Sequence, residues 1–336
     1  MSAQPENPTP DQYLLNPSLP VIRENWSGNA LYKGRFLNEF RPGDHSLKKV
    51  FKWMLQPNPQ KQEKKRDTWT PAVQDPKSFL QSSQDGIIWL GHATFFIRMN
   101  GVTFMTDPVF YGGPMMKRKT ELPVPIEALP KVDYVLLSHG HYDHCDKKSL
   151  KLLRKHSAFE LLCPLHLSKV VQKWLPGTKI QEAGWYQQFD LPVAPKVFLL
   201  SAFHWHKRGL LDEDTCLWGS FMVQGPSHTL YFGADSGYER HFKEVQKPFP
   251  GIDTAILGVG AYSPNFMMRD SHTNPEEAVQ AFHDLGAKQL VPMHYGTFDL
   301  SDEPSSEPVQ KLKAMEQAGA LQGRLRILGI GEPLSF

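Results

Sequence analysis

Residues 138–146 read SHGHYDHCD, three histidines and two aspartates in nine positions, directly after the apolar run VDYVLL. This stretch limits the possible folds more than any other, because a strand must end there and release polar side chains at a sheet edge. Neutral imidazole and carboxylate bind zinc at about 2.0–2.2 Å. One turn cannot aim His139, His141, Asp143 and His144 at a single tetrahedral ion. Four donors in six residues therefore point to two neighbouring metals that need further ligands from elsewhere. The chain offers these in a repeated context. SAFHWH follows VFLL and presents His204 and His206, YFGADSGY presents Asp235, and LVPMHYGT presents His294. Each lies just past an apolar run, and that repetition separates the cluster from a polar loop that merely contains histidine. His45, His156, His166, His228, His241 and His283 have no such context and read as surface or packing residues.

The elements around these motifs are legible from periodicity. TFFIRMNGVTFM sets Asn100-Gly101 between two apolar runs, a type I′ hairpin signal, and LWGSFMVQGPSHTLYFG reads as a second hairpin turning near Gly225-Pro226. Segments 132–137, 197–200, 254–257 and 289–291 read as further strands. NPEEAVQAFHDLG predicts a helix with Asn274 as cap, Pro275 in the first turn and Gly286 as stop. Hairpins joined to strand–helix alternation imply an α/β fold of two sheets sandwiched between helices. The reading divides the chain into residues 1–20, a proline-rich arm expected to be extended or disordered, an extension over 21–85, and a hydrolase-like domain over 86–336.

The extension is basic: residues 41–77 carry nine Lys or Arg against four acids. Within it, Leu47, Val50, Phe51, Met54 and Leu55 recur at helical spacing, with Lys48, Lys49 and Lys52 on the other side and Trp53 near the boundary. Two readings stay open for residues 46–56: a helix laid on the core, or an interfacial helix meeting a membrane. An exposed stripe there would equally serve a homodimer. Met115, Met116, Lys117, Arg118 and Lys119 add a second mixed apolar and basic loop.

A net charge of +2 gives no global field for nucleic acid, which is not an expected partner. Cys145, Cys163 and Cys216 show no pairing pattern, as in a reducing compartment. The N-terminus lacks the basic start and apolar stretch of a signal peptide, and no run reaches the roughly 20 apolar residues of a spanning helix. The expected location is cytoplasmic, with peripheral membrane contact open.

HxHxDH, a later His, a later Asp and a final His, each after a strand, resemble the metallo-β-lactamase superfamily. The αββα sandwich of that superfamily is the implied fold. GHATFFI, TDP (Thr106, Asp107, Pro108), YKGRFLNEF, FHWHKRGLLDEDTCLWGSF, GADSGY, GAYSPNFMMRDSHTNPEEAV and MHYGTF narrow the resemblance to the N-acyl-phosphatidylethanolamine phospholipase D family and its bacterial relatives. The family's final motif commonly reads HWGTF, and here Tyr295 stands in place of the Trp. Carried over by motif, His139, His141 and His204 would hold one zinc, Asp143, His144 and His294 the second, and Asp235 would bridge them. His206 falls two residues beyond the matched position. Asp107 would orient a ligand imidazole, with His92 beside it, while His272 and Tyr295 would face substrate.

The resemblance implies hydrolysis by a hydroxide bridging two zinc ions, iron or manganese being alternative occupants, with Asp143 and Asp235 as catalytic carboxylates. The implied substrate is N-acyl-phosphatidylethanolamine, cleaved to N-acylethanolamine and phosphatidate. A soluble ester, lactone or sugar phosphate is the alternative, since the same core supports many hydrolases.

Overall fold

The computed structural model describes residues 6–113 and 116–336. Three short strands open the chain: β1 (Gln12–Leu14), β2 (Asn29–Tyr32) and β3 (Arg35–Phe36), an antiparallel meander. Helices α1 (Leu47–Leu55), α2 (Lys61–Arg66) and α3 (Lys77–Gln81) follow. The first large sheet then begins with β4 (Gly86–Trp89), β5 (Phe95–Met99), β6 (Val102–Thr106), β7 (Tyr134–Leu136), β8 (Glu160–Pro164) and β9 (Ile180–Ala183), with α4 (Lys147–His156) and α5 (Ser168–Val171) as crossovers. The second sheet runs β10 (Gln187–Gln188), β11 (Lys196–Leu200), β12 (Ser220–Gln224), β13 (Thr229–Phe232), β14 (Thr254–Gly258) and β15 (Gln289–Met293). Helices α6 (His241–Gln246), α7 (Asn265–Met268) and α8 (Pro275–Asp284) lie between its later strands; α9 (Glu307–Gln317) and β16 (Pro333–Ser335) close the chain.

The strand orders are β16-β4-β5-β6-β7-β8-β9 and β10-β11-β12-β13-β14-β15. In each sheet antiparallel hairpin strands give way to parallel strands from β6 and from β13 onward. Alternation decides what each face meets. Ile87, Trp89, Phe95, Ile97 and Phe104 join Phe221, Val223, Phe232 and Ile256 in one core cluster between the sheets. Their neighbours Ile88, Phe96 and Met105 point the other way and meet Leu150 and Leu153 of α4. Ala278 and Phe282 of α8 and Leu312 of α9 extend the first cluster over the second sheet. The result is the αββα sandwich of the metallo-β-lactamase fold, and strands buried on both faces explain the apolar runs that marked them.

Local signals hold where the side chain acts on its own backbone. Asn100 and Gly101 take φ 53° and 75°, the left-handed values a two-residue hairpin requires, while Met99 pairs with Val102. The second hairpin closes by Gly225 N donating to His228 O at 2.9 Å. Asn274 accepts from Glu277 N at 2.8 Å and Glu277 returns the bond at 3.1 Å, a complete capping box. The three cysteines are free and buried. Among the described residues no helix is long and apolar enough to cross a membrane.

Two expectations are corrected. The arm over 1–20 is not disordered across its described residues: β1 pairs with β2, Leu19 is buried, and Asn16 Nδ2 donates to Glu182 O at 2.7 Å. Its partners lie far along the chain, so the local proline content misled. Residues 1–5 lie outside the described residues. The stripe of α1 is not laid on the core, because Phe51, Met54 and Leu55 are 62, 72 and 83% exposed. The helix is held instead by its polar side. Lys49 pairs with Asp270 at 3.5 Å and Asp44 at 3.4 Å, Trp53 Nε1 donates to Asp302 at 2.9 Å, and the Lys52 ammonium sits 4.2 Å over the Phe266 ring. The rest of the extension is tied to the sandwich by both means, Gln74 N donating to Ile330 O at 2.8 Å and Leu31, Phe36 and Phe79 entering the core.

Candidate metal centre

The site lies where β6, β7, β11, β13 and β15 release their loops. Three imidazoles meet first. His139 Nε2 is 3.0 Å from His141 Nδ1 and 3.2 Å from His204 Nε2, and His204 Nε2 is 3.1 Å from His141 Nδ1. Ring protons cannot satisfy all three contacts, since each shared proton serves one pair of nitrogens. Donors about 2.0–2.1 Å from one tetrahedral ion stand about 3.3 Å apart, close to the spacing found.

A second group adjoins the first. Asp143 Oδ2 is 3.2 Å from His92 Nε2, 3.5 Å from His294 Nε2 and 3.6 Å from His144 Nε2. Asp235 lies between the groups: Oδ2 is 3.1 Å from His144 Nε2 and 3.9 Å from both His139 Nε2 and His204 Nε2, while Oδ1 is 3.2 Å from His294 Nε2. These residues fall into clusters whose donor atoms all come within 4.8 Å of one another. The fit to a cation rests on how these atoms meet: His144 Nε2, both ring nitrogens of His294 and Asp235 Oδ1 are buried and make no well-formed hydrogen bond, the close approaches to Asp235 at 3.1 and 3.2 Å being ligand atom set against ligand atom around a common space. Leaving them unpaired costs about 1–3 kcal/mol each. A nitrogen and oxygen donor set without thiolate suits zinc and is open to iron or manganese.

Further residues hold these donors in place. Asp107 Oδ2 accepts from His144 Nδ1 at 2.7 Å and from Ser138 Oγ at 2.6 Å, while Oδ1 accepts from Ser138 N at 2.7 Å. The carboxylate thus fixes the His144 tautomer so that Nε2 faces the cluster. His204 Nδ1 is fixed in the same way by Ser271 O at 3.1 Å. His92, Asp107 and His294 take φ 55°, 31° and 65°, a region unusual for residues with a side chain and characteristic of strained functional turns.

Charge follows this geometry. Burial, reinforced by neighbouring imidazoles, drives His139 and His204 well below the ordinary histidine value, and burial pushes His141 to about 3. Burial opposes a proton on His294 as well, yet Asp235 and Asp143 override it and raise that group to about 9. His144 is raised for the same reason, with Asp107 adding to the pull, and both Asp143 and Asp235 are lowered despite burial by the histidines around them. One group is neutral and ready to coordinate. The other holds protons that a cation would displace.

A cavity of about 500 Å³ opens above Asp143, Asp235, His272 and His294. Val50, Met116, Met267, Met268 and Leu300 supply apolar wall; Lys49, Lys207 and Arg208 supply charge. His272 faces this space with Nδ1 3.7 Å from Asp235 Oδ2. Tyr295 does not reach this cavity. Its buried ring lies 5.0 Å from Trp89 and 6.1 Å from Trp69, filling the core where the family has Trp. His206 is excluded from the imidazole group, as the motif offset implied. Met115 lies outside the described residues.

Sequence reasoning missed several contributors. Asp44, His45 and Lys49 line the cavity from the extension, and His45 stacks 4.3 Å from Trp205. Arg208 Nη1 donates to Gly140 O at 2.6 Å and Cys145 O at 2.8 Å, bracing the ligand loop, and Asn38 Nδ2 donates to His204 O at 3.0 Å. Only YKGRFLNEF and FHWHKRG hinted at these, as quoted segments without assigned roles.

An αββα sandwich with histidine and aspartate donors gathered at its strand ends defines the metallo-β-lactamase class. The Beta-lactamase superfamily domain matches residues 103–295, and the chain belongs to that superfamily. It is 36% identical over 245 residues to an uncharacterized protein of Mycobacterium tuberculosis, covering 69% of this chain and 64% of that one, just under two thirds of the relative's length. It is 32% identical over 256 residues to N-acyl-phosphatidylethanolamine-hydrolyzing phospholipase D 1 of Caenorhabditis elegans, covering 70% and 71%. Among solved structures, Igni18, a metallo hydrolase from Ignicoccus hospitalis, superposes with a TM-score of 0.58 at 22% identity, covering 75% of this chain and 98% of that one.

Proposed function

We propose that the chain is a metal-dependent phosphodiesterase of phospholipase D type that hydrolyses N-acyl-phosphatidylethanolamine to N-acylethanolamine and phosphatidate. The observation that carries this reading is the cavity, where an apolar wall and cationic groups stand over the His/Asp cluster. An amphiphile with a phosphodiester needs both surfaces at once. The name borne by the nematode relative supports the same substrate.

Two zinc ions are the proposed cofactors, one held by His139, His141 and His204, the other by Asp143, His144 and His294, with Asp235 between them. When bound, they supply the Lewis acidity that makes water nucleophilic near neutral pH and neutralise charge growing on the phosphate. Asp143 and Asp235, both ionised, would hold the attacking water in line, and the proton it loses as its oxygen bonds phosphorus would pass through Asp143 to the alkoxide released when the P–O bond to the ethanolamine breaks. Asp107 keeps His144 in one tautomer, so the cluster does not reorganise during reaction. Neutral His272 hydrogen-bonds the phosphate or the departing alcohol, burial having lowered it to about 4. Met267, Met268 and Val50 receive the acyl chain.

Peripheral membrane contact through residues 46–56 belongs to the same reading. Phe51, Met54 and Leu55 are exposed beside Lys48 on the helix that also supplies Val50 to the cavity, so a lipid surface and the cavity share a wall. The test is mass spectrometry of products after zinc-loaded protein meets the substrate in mixed micelles. Phosphatidate plus N-acylethanolamine, absent when His139 and His141 are both alanine, is the expected result. No turnover by metal-loaded protein would overturn the substrate and direct the search to soluble esters and phosphodiesters.

A further inference from the structure

A second, larger cavity of about 950 Å³ lies beside the metal site and shares Tyr142, Arg208 and Gly209 with it. Its lining is cationic. Lys147, Lys148 and Lys151 come from the start of α4, and Lys169 and Lys173 from α5 and the turn after it. Among the described residues none of these five lysines lies within 4.0 Å of a carboxylate, whereas the neighbouring Lys207 pairs with Glu213 at 3.2 Å. The two acids in the lining are committed elsewhere: Asp146 caps α4 by accepting from Ser149 N at 2.7 Å, and Asp212 accepts from Gly209 N at 2.7 Å and Arg208 N at 3.2 Å.

A second observation points to a ligand. His206 lines this cavity, is fully buried, and has no hydrogen-bond partner at either ring nitrogen. Its ring packs against Gly140, where a Cβ would collide with it, so the chain keeps a glycine to seat the imidazole. A buried imidazole with neither ring nitrogen paired is unfavourable unless a partner arrives from outside the fold. Arg208 completes the floor. Its guanidinium stacks 4.0 Å from the Tyr142 ring and 5.2 Å from Trp174 while its Nη1 holds the Gly140 and Cys145 carbonyls.

We propose that this cavity is an accessory binding site for an anion carrying two or more phosphate groups. Lysines from two separate elements and a buried imidazole donor call for several acceptor oxygens with more than one charge, and the space far exceeds a single phosphate. The source is a soluble polyphosphate or a phosphorylated lipid headgroup; the chemistry that binds them is the same. An occupant would rest on the side of the 139–145 loop away from the metal ligands, braced through Arg208. The site is independent of which substrate the metal centre takes.

The test is calorimetric titration of the metal-loaded full chain with sodium tripolyphosphate, with metal content measured afterwards. Lys151→Glu/Lys173→Glu is compared with a control of equal charge change elsewhere, Lys196→Glu/Lys313→Glu. The expected result is saturable binding with metal retained, at least about tenfold weaker in K151E/K173E and unchanged in the control, while both variants keep the parent melting temperature. Equal affinity in K151E/K173E, or heat explained by metal loss alone, would overturn the proposal and leave anion capture to the metal centre. A second arm separates the sources, using vesicles of phosphatidylcholine with phosphatidylinositol 4,5-bisphosphate, a headgroup with more than one phosphate. Protein displaced from them by tripolyphosphate in the wild type but not in K151E/K173E assigns the lipid headgroup, and indifference of vesicle binding to tripolyphosphate assigns the soluble ion.

Discussion

The floor and the roof of the metal-site cavity are built by opposite means. The floor consists of donors fixed at strand ends, buried, and locked from behind by Asp107, Ser138 and Ser271. The roof is α1, which shows Phe51, Met54 and Leu55 to solvent and holds on through Lys49, Lys52 and Trp53. The difference separates two tasks. A bound cation needs donors placed within a few tenths of an ångström, which only a packed sheet edge provides. A substrate with a long apolar part needs a wall that can give way. Function that depends on the floor should fail outright when a donor is lost, while loss at the roof should alter which substrates are reached.

The largest effect expected is at the floor. Asp235→Ala removes the carboxylate that lies between both groups, so the protein should lose one or both metals and all measurable hydrolysis. Metal analysis beside the activity assay decides it, and two metals per chain with full turnover would remove Asp235 from the centre.

Next comes Asp107→Asn, which keeps the shape but removes the charge behind His144. Metal affinity or activity should fall about 10–100-fold. The pH dependence should change in a defined direction. His294 is raised from 6.5 to about 9 in the metal-free protein and His144 is also raised, so both hold protons at neutral pH. These protons must leave for coordination, and affinity therefore climbs with pH through the neutral range. In the metal-free protein the same shift stabilises the fold fully below 6.5 and is lost as pH approaches about 9. Withdrawing the Asp107 charge lowers His144 and should flatten the rise in affinity; an unchanged slope with an unchanged constant would show that Asp107 only fills space.

How far the sequence could be read follows the same division. The floor was legible because each donor sits within about seven residues of the end of an apolar run, so HxHxDH, His204, Asp235 and His294 announce themselves locally. The capping box of α8 and the Asn100-Gly101 turn were legible for the same reason. The roof was not. Spacing gave α1 and its stripe correctly, but which side faces inward depends on Asp270, Asp302 and Phe266, more than 200 residues away. His45 carried no motif because its role depends on stacking with Trp205. Tyr295 was misread for a related reason: its motif position is correct, but Trp69 and Trp89 draw the ring into the core. The left-handed backbone at His92, Asp107 and His294 left only a weak trace in residue type, since Asp and His tolerate positive φ better than most side chains but do not signal it as glycine does.

At the roof, Phe51→Asp/Leu55→Asp changes two exposed side chains and no described contact of the ligand cluster. If α1 meets lipid, hydrolysis of vesicle-borne substrate should fall about tenfold, from loss of roughly 1.4 kcal/mol in total for two partly inserted apolar side chains. Activity on a dispersed short-chain analogue should stay level. Equal loss on both substrates would mean that α1 serves the cavity alone, and a shift in oligomeric state would assign the stripe to a second copy of the chain.

The smallest effect tests whether floor and roof are separate units at all. Lys49→Ala breaks the pairs to Asp270 and Asp44, of which Asp44 is half exposed and contributes little. Asp270 keeps Arg41 at 3.0 Å, so its buried charge is not abandoned. The melting temperature, set by the sandwich core, should move by no more than about 2 °C. Amide exchange over 46–56 should nonetheless quicken while exchange over 139–145 stays slow, because α1 opens by breaking a few polar ties and the ligand loop opens only with the sheet. If exchange quickened in both segments together, the roof would be part of the floor's cooperative unit, and the cavity wall would be as rigid as the metal donors beneath it.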